Sequence, residues 1–583
     1  MHVGLEPDSL DPLVDPCVDF YQFACGGWIS QHPIPADYGG YARITQIEDT
    51  IRAQLETMLQ ADADGNSTDP NDRMLGDFYA SCVDEVAIER VGTSPAQQVL
   101  GTALAVRDDI TWIAAVVALH RLGFEVVWNE SVSADSMDST RNVIVLDAGG
   151  LELPDRDYYL SSEFSGQLSA YRAHAAKMLV LAGLPAAGAS RAADDVLAIE
   201  TAIARLTKTR TDSRDAVSTY NPTTPSGLAK MATSIDWSNY WKAMSIDPGD
   251  RIVVGTPTFF EHLDSLRRQF QPAQWAHYFA YHAISSQSFS LGKSVDDEDF
   301  ALQSALTGVP TQASRSKRCV EETKAALGEV LGQQYAERYF PAASKLQVEV
   351  LTDSLVRAMS ETISKLEWLS APTRSFALQK LSKVSPMVGF PETWRPGRFL
   401  VKRDDFGGNE LRRFEFTTHQ DLARAGQLID RREWKMNAYS VNAYFDYTSN
   451  NLALPAGVLQ LPFFNADRSP AVNLGALGML IGHELTHGFD DQGARFDDKG
   501  NLRDWWAPSD KPHFEQRADW VAHQYSSFEA LPHRFVNGRL TLGEDIADLG
   551  GVKIAFNAYR SLTKGPRMAK SAGQRISLRG LMT

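Results

Sequence analysis

The chain has 583 residues, 43% of them apolar and 22% charged, with 12 Trp, 27 Phe, 18 Tyr and a formal net charge of -16. That length exceeds a single core and implies two or more lobes, while the aromatic content excludes a disordered chain. The acidic balance and the lack of a long Lys/Arg block exclude nucleic acid as a partner.

The opening, Met1-His2-Val3-Gly4-Leu5-Glu6-Pro7, has no basic region followed by an apolar core, so no signal peptide is read there. The longest apolar stretch, 113–128, is interrupted by His120, Arg121 and Glu125 and is too short for a bilayer, so no transmembrane segment is predicted. The protein is then cytoplasmic, or its leader or anchor lies outside this sequence. Cys17, Cys25, Cys82 and Cys319 are too few and too scattered for a zinc finger; they read either as buried thiols or as disulfides of an exported protein.

Residues 15–35 are aromatic-rich and close on Gly26-Gly27 and Pro33-Ile34-Pro35; a helix follows, with Ile47, Ile51, Leu55, Met58 and Leu59 at helical spacing. The acids in 61–72 are spaced like a calcium loop but lack its Gly and terminal Glu, so a solvated loop is expected. Helical periodicity dominates from Arg73 to about Ala371, with helices predicted around 72–89, 166–182, 192–208 and 346–369 and a turn entering a helix at 153–160. In 346–369 the stripe Val348, Leu351, Leu355, Met359, Ile363 and Leu366 reads as core. The Pro/Gly-rich segment 385–408 is the best boundary between this helical part and a different second part. Beyond it, 413–416 and 441–445 look like short strands, and 451–464, carrying Pro455, Gly457 and Pro462, reads as an edge strand or extended shelf. An edge there can hold a peptide as an added strand.

The shelf leads to Leu480-Ile481-Gly482-His483-Glu484-Leu485-Thr486-His487-Gly488-Phe489-Asp490. Positions i and i+4 share a helix face, so His483 and His487 can present neutral imidazoles to one metal ion, with Glu484 beside them to take a proton from water. A catalytic zinc needs a third protein ligand, and His513, Glu515, His523, His533 and Glu544 are candidates. Glu544 has the best context and Glu515 the next. In Leu542-Gly543-Glu544-Asp545-Ile546-Ala547-Asp548-Leu549-Gly550-Gly551, a helix would put Glu544 and Asp548 one turn apart, one to bind metal and one to orient an imidazole. Gly550-Gly551 would let that helix approach another closely. The same acids also suit a helix start on dipole grounds alone.

These residues resemble the neprilysin and endothelin-converting-enzyme zinc metallopeptidases nearly end to end. The resemblance rests on the Pro-Cys-x-Asp-Phe-Tyr-x-x-Ala-Cys-Gly opening at 16–26, on 153–160, Val388-Gly389-Phe390-Pro391 with Trp394, Val441-Asn442-Ala443-Tyr444, 455–464, the His483 motif, 500–506 and 543–551. It implies a mainly α, two-lobed helical metallopeptidase enclosing a central chamber, with a small sheet and a zincin-type catalytic helix beside the zinc site. Its divisions would be an N-terminal domain at 1–390, a connecting segment at 391–437 and a catalytic zinc domain at 438–583. It further implies one zinc per chain, with His483, His487 and Glu544 as ligands, Glu484 as general base and Asp548 as the acid orienting a histidine. Asn442 and Ala443 match substrate-backbone contacts. Val458, Phe463, Met479 and Leu480 match the apolar pocket after the scissile bond, or else are ordinary core. The implied activity is endopeptidase hydrolysis of oligopeptides before hydrophobic residues, in an extracytoplasmic setting.

Departures from the family pattern matter too. The family continues past the Glu544 helix with a histidine that steadies the tetrahedral intermediate and an arginine that contacts the substrate carbonyl; here the last histidine is His533 and the sequence runs through Gly573-Gln574-Arg575 to Thr583. The resemblance therefore implies a chain lacking that segment, and a second reading in which it binds zinc or peptide with poor turnover. It also implies a Cys82–Cys319 disulfide, and unpaired Cys17 and Cys25, whose family partners lie in the segment not found here. The stretch Tyr38-Gly39-Gly40-Tyr41-Ala42-Arg43 lacks the family's arginine arrangement for a substrate C-terminus, which favours endopeptidase over carboxydipeptidase action.

Overall fold

The computed structural model describes residues 6–65 and 67–563; readings made at 1–5, at Asn66 and at 573–583 lie outside the described residues. The chain forms two compact units. One contains the described residues up to Gln54, Glu329–Arg395 and those from Asp430 onward; the other contains Leu55–Gly328 and Pro396–Ile429. The units interleave along the chain, and one crossing between them falls inside the 385–408 segment.

In the unit built on Leu55–Gly328, the helices arise largely where apolar periodicity put them, at Ser165–Leu181 and Ala186–Leu206. The run at 72–89 is two helices, Pro70–Val83 and Glu85–Val91, because Asp84 ends one and caps the next, its carboxylate accepting from the Ala87 backbone N–H. In the acid-spaced loop, Asp69 is a helix cap: it accepts from the Asn71 N–H at 2.7 Å. A short helix, Asp157–Leu160, follows the turn at 153–156.

A four-stranded sheet interrupts the region read as helical. Trp128–Asp135 and Asp138–Ala148 pair antiparallel, Ile252–Val254 adds parallel to the second, and Pro222–Thr223 closes the far edge. The β-branched run Val143-Ile144-Val145 supplies the physical cause, and Ile144 and Leu146 are fully buried. Around the sheet lies an aromatic core in which Trp112 meets Trp275 edge-on at 5.5 Å and Phe279 at 5.9 Å.

The strand reading of 413–416 is corrected, since this segment lies inside the helix Phe406–Leu422, capped by Asp405. Alternating phenylalanines mimic a strand here because two faces of the helix are covered: Phe414 packs on Phe124 and Phe416 on Phe399. Cys82 and Cys319, both fully buried, are joined in a disulfide, whereas Cys17 and Cys25 carry free thiols.

In the other unit the helix Ala342–Ser364 buries Val348, Leu355, Met359 and Ile363 of the predicted stripe. It packs against the long helix Leu542–Thr563, with the Asn557 amide donating to Thr362 Oγ1 at 3.1 Å. A three-stranded sheet has Asn451–Pro455 at its centre, parallel to Ser385–Gly389 and antiparallel to Tyr444–Asp446. The edge reading of 451–464 is therefore corrected. All five residues of Asn451–Pro455 are buried, and Pro455 is tolerated because it ends the strand. The edges are Ser385–Gly389 and Tyr444–Asp446, and only Tyr444 and Phe445 of 441–445 are strand. After Pro455 the chain turns through Ala456–Val458 and enters a helical run, Pro470–Asn473, a π-helical turn at Leu474–Gly478, and then Met479–His487.

Candidate active site

Met479–His487 carries both histidines one turn apart, and Leu542–Thr563 supplies the carboxylates. The two helices meet through glycine. A Cβ on Gly551 would lie 2.6 Å from the Met479 carbonyl oxygen and 2.8 Å from the His483 nitrogen, and one on Gly482 would lie 3.0 Å from Gly551. Only hydrogen at these positions lets the backbones come this close. The contact sets the reach of Glu544, which stands seven residues before Gly551 and hence on nearly the same helix face.

The result is a cluster of three metal-type donors. His483 Nε2 and His487 Nε2 are 3.1 Å apart, and Glu544 Oε2 lies 3.3 Å from the first and 3.6 Å from the second. His483, His487 and Glu544 are the group among the described residues whose ligand atoms converge in this way. His513, Glu515 and His523 lie exposed on Lys511–Tyr525 and His533 in an exposed turn, outside the cluster.

Each imidazole is held by an acid at its other nitrogen. Asp548 Oδ1 is 2.8 Å from His483 Nδ1, as the spacing of Glu544 and Asp548 led us to expect for one histidine. The partner of the second histidine was missed: Asp490 Oδ2 is 2.7 Å from His487 Nδ1. Its signal was an acid three residues beyond His487, just past the helix end, a spacing without meaning until the chain is seen to turn back. Asp490 is 1% exposed, and its Oδ1 accepts from the Gln492 and Gly493 N–H groups at 2.8 and 2.6 Å.

The electrostatics follow from this packing. Burial alone would lower His483, but hydrogen bonds to Asp548 and Glu544 hold its imidazolium, raising it to about 9. His487 is likewise raised to about 10 against burial, by Asp490 and Glu544. The same hydrogen bonds from His483 and His487 hold Glu544 well below the ordinary carboxylate range. The fit to zinc is good: two Nε2 atoms and one carboxylate oxygen converge, and both Nδ1 positions are engaged by carboxylates, which orients Nε2 toward the ion.

Glu484 is 5% exposed. Burial pushes its carboxyl up, against the pull of His487 and His483 and of the nearby Phe445 backbone. Asn442 and Ala443 immediately precede that strand, Asn442 exposed and Ala443 buried, with Asn442 Oδ1 accepting from the Ala443 N–H at 2.9 Å. Val458 is buried, whereas Phe463, Met479 and Leu480 keep partial exposure.

Two sequence profiles, both of Peptidase family M13, match residues 16–391 and 442–576. The chain belongs to peptidase family M13. As an M13 member it is a zinc metalloendopeptidase. Endothelin-converting enzyme 1 of Cavia porcellus is 31% identical to this M13 peptidase over 579 residues, covering 96% of this chain and 76% of that protein. The crystal structure of Mycobacterium tuberculosis zinc metalloprotease Zmp1 in complex with an inhibitor superposes with a TM-score of 0.92 at 32% identity, over 96% of this chain and 87% of the other. PepO from Lactobacillus rhamnosis, at 23% identity and a TM-score of 0.84 over 94% and 87% of the two chains, shares the fold. Among the described residues of this M13 peptidase, no helix is long and apolar enough to cross a membrane.

Proposed function

We propose that this M13 peptidase hydrolyses oligopeptides on the amino side of hydrophobic residues, using one zinc ion held by His483, His487 and Glu544 and Glu484 as general base. The observation that carries this reading is the convergence of the three donor side chains within 4.8 Å, with the buried carboxylate of Glu484 next to His483 in the same helix. A zinc ion bound there supplies a Lewis acid that polarises the scissile carbonyl and acidifies water. Glu484 takes the proton of the attacking water on its carboxylate and returns it to the nitrogen of the leaving amine. Its burial supports that role, because a carboxyl raised toward neutrality both accepts and releases a proton readily.

Asp548 and Asp490 keep the Nδ1 proton of each imidazole in place, so that the metal-facing nitrogen is the basic one. The edge strand Tyr444–Asp446 offers backbone groups to an extended peptide, with Asn442 and Ala443 at its start as the contacts to the substrate main chain. Phe463, Met479 and Leu480, partly exposed, with Val458 behind them, would form the apolar pocket that selects the residue after the cleaved bond.

The test pairs metal analysis with a fluorogenic peptide series varied at the position after the scissile bond. Glu484→Gln should retain zinc yet turn over at least about a hundredfold more slowly, and peptides with Phe or Leu at that position should outrun those with Asp. Unchanged turnover in the variant removes Glu484 as base; equal rates across the series remove the pocket assignment.

A further inference from the structure

Lys380 stands on the helix Ala371–Ser382 and is fully buried, an uncommon position for a lysine. Its Nζ donates to two backbone carbonyls, those of Gly493 and Phe496, each at 2.7 Å, and lies 5.4 Å from the centre of the Phe489 ring. The Lys380 carbonyl in turn accepts from the buried side chain of Asn450 at 3.1 Å, which ties the lysine's own backbone down. All the groups it touches with its ammonium lie in the turn 489–496, directly after the histidine helix.

That turn has one residue that reaches the metal cluster, Asp490. Gly493 joins the two ends of the connection: its N–H donates to Asp490 Oδ1 at 2.6 Å while its carbonyl accepts from Lys380. It is also pressed on the histidine helix, since a Cβ there would lie 1.8 Å from the His487 carbonyl oxygen. From Lys380 to the Gly493 peptide, to Asp490 and to His487 Nδ1, each link is a hydrogen bond no longer than 2.8 Å. Burial pulls Lys380 down to about 7 against the attraction of Asp490, Asp497 and Asp498. Charged or neutral, the amine keeps at least two N–H donors, enough for both carbonyls.

We infer that Lys380 is a positioning residue for the zinc site, holding the turn that carries Asp490 so that Asp490 can orient His487. This rests on the zinc reading above. His483 has no such support, because its partner Asp548 is more than half exposed and sits directly on a helix. The two histidines are thus oriented by different means, one by a helix face and one by a loop pinned from a third element.

The experiment measures zinc affinity by chelator competition, the visible spectrum of the cobalt-substituted enzyme, kcat and KM separately, and the unfolding temperature of the metal-free protein. Lys380→Met should weaken zinc binding about 10- to 100-fold, the range seen when a ligand's outer partner is lost. It should also shift the cobalt spectrum and lower kcat at nearly unchanged KM. In an Asp490→Ala background the same substitution should cost less than about twofold more in affinity, because the two residues act through one path. Losses that multiply in the double variant overturn the inference, as does a lower unfolding temperature with zinc affinity and cobalt spectrum unchanged. Lys380→Gln, which keeps an amide donor, is the second variant; if neither folds without metal, Lys380 is a general core residue and the inference fails. Absence of zinc binding in the unsubstituted protein would instead refute the zinc reading itself.

Discussion

Replacing Gly551 by alanine tests whether the approach of two helices sets the metal site. The added methyl would sit 2.6 Å from the Met479 carbonyl oxygen and 2.8 Å from the His483 backbone nitrogen, about 0.8 and 0.6 Å inside ordinary contact. Neither neighbour is the end of a flexible side chain, so the helices themselves must separate. Glu544 and Asp548 ride on the helix that would move, and metal–ligand bonds tolerate only about 0.2 Å. Overpacking of this kind costs about 1–3 kcal/mol. If that strain falls on the zinc-bound state it is about a 5- to 150-fold loss of zinc affinity. Chelator competition on purified Gly551→Ala reads the affinity directly, with Val552→Ala, exposed on the same helix, as control. Unaltered zinc affinity and turnover in Gly551→Ala would refute the argument that glycine contact positions Glu544.

The remaining predictions concern the acids, the disulfide and pH. Asp490→Ala and Asp548→Ala should each weaken zinc binding about 10- to 100-fold, with Asp490→Ala the worse because water can replace the half-exposed Asp548 but not a carboxylate that is 1% exposed; the reverse order in a chelator titration would count against this. Breaking Cys82–Cys319, which closes a separation of 237 residues, by Cys→Ser at both positions should cost about 2–5 kcal/mol in denaturant unfolding, and a wild-type midpoint would show that the link adds nothing. Burial raises Glu130 to about 8 from an ordinary 4.5, and Tyr240 donates to it at 2.9 Å. Its proton therefore favours the fold fully below pH 4.5, and that contribution is lost as pH rises through about 8, at up to about 1.4 kcal/mol per pH unit. Neighbouring His120, lowered to about 4 by burial, works oppositely: its contribution is present above pH 6.5 and lost as pH falls through about 4. Glu130→Gln should flatten the decline in stability between about pH 5 and 8; urea midpoints that track the unsubstituted protein across that range would disprove it.

Much of the site could be read from local spacing, because a helix converts sequence separation into direction. His483 and His487 at i and i+4, and Glu544 and Asp548 at the same interval, fall on common faces whatever surrounds them. The glycine pair at 550–551 likewise announced a close helix contact, and Gly551 makes it against the backbone of the histidine helix. Strands were less legible. The order of a sheet depends on which segments meet, so Pro455 suggested an edge although Asn451–Pro455 lies at the centre. The phenylalanines of 413–416 alternated like a strand because two sides of one helix are covered.

By itself, then, the sequence determined the pair His483 and His487, the adjacent Glu484 and the predominance of helix, all of which depend on residue type and short-range period, and it ranked Glu544 first among five candidates for the third donor. Only the tertiary structure decided how the second histidine is held. Asp490 lies beyond the end of the helix, where periodicity no longer fixes direction, and its aim at His487 depends on a turn whose carbonyls are bound by Lys380, more than a hundred residues earlier in the chain. A contact between distant segments leaves no period in the sequence, and so it becomes visible only when the chain is folded.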